Sequence, residues 1–483
     1  MSQTNQRNPT FGALATQSGP ITKLPTEVLT EIFKTYAESY PEVLGQGVVD
    51  LCLVGKYWNM VANGTPQLWT KIDLSFPFTD QHLTAVLKRV HASKLKNIDV
   101  SIDFCDPNWD GDEPYYDEGD TTPTNETIWI QGVMAVLRGT ERRWKSIKVV
   151  SDTWLPLYRL MEVWTFMHLP SLESISMERQ GTIFGMQNVP FDPQPLIGPM
   201  SLFGRNALLP KLRDLSLSSV HIDWDNASGG YRNLRKLELK KLTYDVGPSC
   251  EQFAVMLSSS PRLESLDVSG FCPERHTGPA PPAGGDPETP VVHLPALKEF
   301  TFGWKDADLG GLFLQMFQIG NSLESLTLID TESGFGYWRD KQTRSRCWFQ
   351  DSQGILEDLR QLGSAAPRDA GDVPPTPFIS VGGVKRLRVV WTKATHPSLI
   401  PFLTMFTGLE DLWLEDVNRD ILEDATWVGV SRPGACPSLR RLDLRWMWQE
   451  GIPSFAEPSI LQLERVGIEV TAQAADEWRI GQD

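Results

Sequence analysis

Residues 261–268 read Pro261-Arg262-Leu263-Glu264-Ser265-Leu266-Asp267-Val268, and near copies stand elsewhere in the chain. They are LESISM at 172–177, LRDLSL at 212–217, LRKLEL at 234–239, LESLTL at 323–328, LEDLWL at 409–414 and LRRLDL at 439–444. Looser versions begin at Leu95, Trp144, Leu297, Val384 and Leu463. In each, apolar side chains alternate with polar ones, the period of a strand with one buried face. Pro stands two positions before the first Leu at 170, 210, 261, 295 and 437, which sets a turn ahead of the strand. Most copies begin 22–34 residues after the previous one, room for a strand and a helix.

The intervening segments supply the helices. Five stripes follow the i, i+3, i+4, i+7 pattern of one buried helical face. They are Leu83, Val86, Leu87, Val90; Ile130, Val133, Met134, Leu137; Leu157, Leu160, Met161, Trp164; Leu309, Leu312, Phe313, Met316; and Leu399, Phe402, Leu403, Phe406. One strand and one helix cannot bury both faces alone, so units must stack, with a parallel sheet inside and helices outside. An α/β repeat fold is therefore predicted over residues 75–470, an ordinary α/β domain being the alternative. Segments 103–126, 272–290 and 331–383 break the period with Pro, Gly and acidic residues and read as inserted surface loops.

Composition narrows the function. The 483 residues carry 45 Lys plus Arg against 61 Asp plus Glu, a net charge of −16. That excludes the basic footprint of a nucleic-acid binder and disfavours anionic membranes, so partners are expected to be proteins. Six cysteines lie scattered with no C-x-x-C pair, which suits a reducing compartment. Residues 1–20 form a polar lead without a secretory pattern, and no apolar run reaches membrane-spanning length. A cytoplasmic or nuclear location is expected.

Residues 21–74 differ from the rest. Pro25 suits a first helical turn, and Val28, Leu29, Ile32, Phe33 and Tyr36 recur at helical spacing. A second helix is predicted over 48–64, with Leu51, Val54, Trp58 and Val61 on its apolar face, before Thr65-Pro66-Gln67-Leu68-Trp69 turns the chain. So small a unit cannot hide two such stripes within itself, and the surplus must meet the repeats or another protein. Leu24-Pro25-x-Glu27-Val28-Leu29-x-x-Ile32-Phe33, then Leu51-x-x-Val54-x-Lys56-x-Trp58-x-x-Val61-Ala62, then the T-P-x-L-W ending, resembles an F-box of the fungal type. Gly55, where the family usually has Cys or Ser, and a long spacer over 34–50 depart from that pattern. The repeats resemble the irregular leucine-rich repeats that F-box proteins carry, curved into a horseshoe. The resemblance implies a substrate-recruiting subunit of a Skp–cullin–F-box ubiquitin ligase. Leu24, Pro25, Val28, Leu29, Ile32, Leu51, Val54 and Trp58 would then contact a Skp-type adaptor of the cullin complex. A non-catalytic scaffold that binds the adaptor without ubiquitin transfer is the alternative; an enzyme or small-molecule sensor built on the repeats has no support in the sequence.

No catalytic motif, cofactor or metal site is expected. Asp106, Asn108, Asp110, Gly111 and Asp117 mimic a calcium loop, but they follow a strand pattern, and Glu113-Pro114 interrupts the ligand series, so a solvated acidic loop is the better reading. Cys272 and His276 form one isolated pair without the second that zinc needs. For the target, polar positions of the repeat strands alternate away from the core, and towards the C-terminus they become large or basic. Arg388, Trp391, Trp413, Arg445, Trp446 and Trp448 are the candidate target-binding residues, Trp and Arg being enriched at interface hot spots. Packing between repeats is the other use for those Trp side chains.

Overall fold

The computed structural model describes residues 24–39, 44–109, 125–180, 190–198, 200–203, 209–225, 231–271, 290–304, 307–331, 352–364, 378–392, 396–415, 417, 436–445, 460–461, 463–464 and 467–473. Three helices lead: α1 (Thr26–Ser39), α2 (Leu44–Val54) and α3 (Lys56–Asn63). Then strands and helices alternate. The sequence β1 (Lys71–Ser75), α4 (Asp80–Ala92), β2 (Ile98–Asp103), α5 (Asn125–Leu137), β3 (Trp144–Ser151), α6 (Trp154–Trp164), β4 (Ser174–Arg179), β5 (Asp214–Ser218) and β6 (Lys236–Lys240) leads to α7 (Cys250–Ser258) and β7 (Ser265–Ser269). Next come β8 (Val292–Leu294), β9 (Glu299–Trp304), α8 (Ala307–Leu314), β10 (Phe317–Ile319), β11 (Ser325–Asp330), α9 (Gln353–Ser364) and β12 (Phe378–Ile379). The last elements are β13 (Arg386–Val390), α10 (His396–Leu403), β14 (Asp411–Glu415), β15 (Arg441–Arg445) and β16 (Glu469–Gln473).

Thirteen strands pair in parallel and in chain order, β1-β2-β3-β4-β5-β6-β7-β9-β11-β13-β14-β15-β16. The fold is thus α/β on one large parallel sheet. The Leu positions point to one side, where Leu215, Leu237, Leu266, Leu326, Leu387, Leu412 and Leu442 join the helix stripes in one buried core. Burying each such Leu is worth roughly 2 kcal/mol, and the row continues from strand to strand. The Pro before each motif stands second in a tight turn: the N–H of Leu172, Leu212, Leu263, Leu297 and Leu439 donates to the C=O of Leu169, Leu209, Ser260, Leu294 and Cys436 respectively. Pro fits that position because its φ is already that of a turn and no N–H is needed there.

Several details depart from expectation. Residues 331–383 do not form one loop: α9 and β12 lie inside that span, α9 burying Ile355, Leu356, Leu359 and Leu362. Strands β8, β10 and β12 make a second parallel sheet, with Phe317 packed on Phe300 of the main one. Of the stripe predicted for α8, Phe313 and the following Met316 are buried, but Leu309 and Leu312 are exposed. Gly310 and Gly311 instead face α9, where a Cβ on Gly310 would lie 2.8 Å from Ile355 Cδ1. Leu95 is 91% exposed, so the core alternation of that repeat starts only at Ile98. Leu463 is buried in a helical turn, and the last strand begins at Glu469. That strand runs to Gln473, past the predicted end of the repeats at 470, while β1 joins the sheet from within 21–74. The predicted helix over 48–64 is broken at Gly55, whose extended backbone (φ 173°, ψ 169°) separates α2 from α3.

Candidate protein-docking surfaces

The N-terminal helices close on their own small core. Leu29, Phe33 and Ala37 of α1 meet Val48, Val61, Ala62, Leu68 and Trp69, with Trp58 tilted against Phe33 at 5.1 Å between ring centroids. Local hydrogen bonds explain the T-P-x-L-W ending. Thr65 Oγ1 donates to the Val61 carbonyl at 2.8 Å and Trp69 Nε1 to that of Ala62 at 2.9 Å, satisfying two carbonyls at the end of α3. Pro66 opens the 3-10 turn that drives Leu68 and Trp69 inward. Gly47 lets α2 approach α1, since a Cβ there would lie 3.1 Å from the Tyr36 ring.

What this core leaves outside is apolar. On α1, Val28 and Ile32 are 44% and 47% exposed and line a shallow groove with Glu27, Glu31 and Thr35. Tyr36 continues the stripe one turn on. Val49, Leu53, Val54 and Met60 are also exposed on α2 and α3. Of the eight expected contact residues, Pro25, Val28, Ile32 and Val54 are therefore accessible, and Leu24, Leu51 and Trp58 are half-buried. Leu29 is corrected: it is 1% exposed and belongs to the module's core, because it lies one position off the outward-facing Val28 and Ile32. Leu53 and Met60 were missed, having no place in the apolar face predicted for an unbroken helix.

At the other end, β13, β14 and β15 present Arg386, Arg388 and Val390, then Asp411, Trp413 and Glu415, then Arg441, Asp443 and Arg445, in register on the side away from the helices. Trp413 stands at the centre of the block. Arg388 Nη2 donates to Glu415 Oε2 at 2.5 Å, and Arg445 donates from Nη2 and Nε to Asp443 Oδ2 at 2.9 and 3.1 Å. Trp391 follows β13 with φ +55°, unusual for a bulky residue, and its N–H donates to the Glu415 carbonyl at 2.8 Å. The structure thus brings Arg388, Trp413 and Arg445 together around two buried carboxylates and sets Trp391 at the strand end; Trp446 and Trp448 lie outside the described residues.

Residues that resembled metal ligands form no such site where they are described. Asp106 Oδ1 accepts from Asn108 N and Nδ2, a turn that needs no ion, while Asp110, Gly111, Asp117, Cys272 and His276 lie outside the described residues. Among the described residues no group of three His, Cys, Asp or Glu could hold a metal, and no helix is long and apolar enough to cross a membrane. No family model matches the chain, and no curated protein matches it.

Proposed function

We propose that this chain is an F-box-type, substrate-recruiting subunit of a Skp–cullin ubiquitin ligase, with an irregular leucine-rich repeat horseshoe behind its N-terminal helices. The observation that carries the reading is the exposed stripe Val28, Ile32 and Tyr36 on a helix whose other face already fills the module's core. A helix buried on one side and apolar on the other is built to meet a second polypeptide. The repeats then hold a target, and the chain acts by proximity: it raises the effective concentration of target lysines near a charged conjugating enzyme. No bond is made or broken on this chain.

The test is capture of a purified Skp-type adaptor by the full chain and by Val28→Asp/Ile32→Asp. These side chains are accessible, so the double variant is expected to keep its unfolding midpoint and lose capture by about tenfold or more, the effect of a charge set into an apolar contact. Undiminished capture by the folded variant removes the docking role from α1. Co-purification of a cullin with the wild-type complex separates a ligase from a scaffold.

A further inference from the structure

Along the outer layer α5 lies between α4 and α6, packing on α4 where Leu83 meets Gly132. Helix α4 opens the row, and on its other flank stand α2 and α3 of the N-terminal module. The two sides touch at the last residue of α4, Ala92, which packs on the module's core. From there they part, leaving a cleft of 720 Å³. Gln81, Thr84, Ala85, Lys88 and Ala92, at helical spacing, line its α4 wall over about 16 Å, and Val49 and Trp69 stand on the other wall. Thr84, Ala85 and Ala92 are small, which lets a further helix lie beside α4 at the roughly 8–10 Å of close packing. Asp73 and Asp80 stand against Lys88 and Arg89, with His82 beside them, and Asp73 is 3.7 Å from Arg89. Fit, not net charge, therefore selects what enters.

Two observations say which chain that is. The first is area. At 37–47% exposure, Val28, Ile32 and Tyr36 together offer on the order of 250 Å², against about 800 Å² per partner in a stable interface. An adaptor held by α1 must find further surface. The second is continuity. Tyr36 lies against Gly47 at the start of α2. At about 100° per residue, Val54 shares the edge of Gly47, and Leu53 and Val49 follow round the outer face, with Asp50 among them. All three apolar side chains are exposed, and Val49 lines the cleft. Apolar surface thus leads from the α1 stripe over α2 to the flank of α4. Resting on the reading that α1 docks a Skp-type adaptor, we propose that a helical segment of the same adaptor, apolar on one side, fills this cleft. It lies beside α4 where a preceding repeat would have set its helix, with its apolar side chains on Val49, Trp69 and Ala85. The first repeat is then part of the adaptor dock, and the adaptor fixes the direction in which the sheet leaves the module.

The test measures capture of a purified Skp-type adaptor by the full chain, by Ala85→Trp and by Leu87→Trp. Ala85 is exposed on the cleft wall, whereas Leu87, also exposed, lies outside the cleft. Both variants place Trp on the same helix, so its cost in helix propensity is common to them. Ala85→Trp is expected to keep its unfolding midpoint and to weaken capture about tenfold or more, because the indole occupies the space of the incoming helix. Leu87→Trp should capture as the wild type does. Adaptor binding should also slow amide exchange over residues 81–92 of α4 relative to 125–137 of α5. Undiminished capture by Ala85→Trp, an equal loss in Leu87→Trp, or unchanged exchange in α4 overturns the proposal. Weakened self-association of Ala85→Trp with full adaptor capture overturns it too, giving the cleft to a second copy of this chain. Val28→Asp/Ile32→Asp reports separately on α1. If it loses capture and Ala85→Trp does not, the ligase reading stands without the cleft; if the wild-type chain captures no adaptor, both fall.

Discussion

His221 lies stacked on Trp154 at 4.5 Å between ring centroids and edge-on to Phe191 at 4.4 Å, almost without solvent contact. Neither ring nitrogen has a hydrogen-bond partner among the described residues. Burial pushes its pKa down to about 4, opposed by the Asp245 carboxylate and reinforced by the Arg179 guanidinium. The native state therefore holds the neutral ring, while the unfolded chain titrates near the ordinary value of about 6.5. With the folded pKa depressed, its stability contribution is complete above about pH 6.5 and is lost as pH falls towards 4. The loss is on the order of 3 kcal/mol. Urea midpoints measured from pH 7 to pH 4 should fall in the wild type and fall less in His221→Phe; parallel curves would sink this assignment. Nothing in the local sequence announced this residue, since its environment is assembled from α6, the segment at 190–198 and the end of β5. Leu29 was obscure for a related reason. Helical spacing groups the apolar residues of α1, but which of them turn inward depends on where α2 and α3 pack.

A charge ladder runs along the main sheet one residue ahead of its strands from β4 to β15, starting from Lys145 within β3. The N–H of Glu173, Arg213, Arg235, Glu264, Lys298, Glu324, Lys385, Glu410 and Arg440 each donates to the carbonyl of the preceding member, the first being Lys145. Signs alternate at every step but one, that from Arg213 to Arg235, and Glu264 pairs with both Arg235 (3.7 Å) and Lys298 (2.8 Å). Exposed pairs are individually weak and screened by salt, but like charges on adjacent strands repel. Glu264→Lys sets four cations side by side, from Arg213 to Lys298, and is expected to lower the urea midpoint at low salt, with the deficit shrinking in about 1 M NaCl, where the screening length is only about 3 Å. A salt-independent deficit would point to packing instead. The same motif shows what could be read in advance. L-x-x-L-x-L with its leading Pro locates most strands because inward Leu, outward charge and turn are all local. The failures occur where tertiary contacts decide: two glycines rotate α8 against α9, and β8, β10 and β12 are too short to show a period. Conversely, the stripe of α9 was readable but lay among Pro and Gly residues that suggested a loop.

Because every strand of the main sheet touches only its neighbours, stability is close to a sum of nearest-neighbour terms. Leu266 of β7 is buried beside Leu237 and Phe300 of the adjoining strands. Leu266→Ala is expected to cost about 3 kcal/mol. Hydrogen exchange should show lost protection in β6, β7 and β9 with β1 to β3 little changed; uniform loss would mean that the array unfolds as one unit. In-order pairing also makes position along the sheet proportional to position along the chain. Ten lateral steps of about 4.8 Å separate β1, next to α1–α3, from β14, which carries Trp413. The molecule is thus a gauge roughly 50 Å long measured along the sheet, graduated in single strands. Excising one strand–helix unit would slide whatever rests at the far end by one graduation while leaving both ends chemically intact.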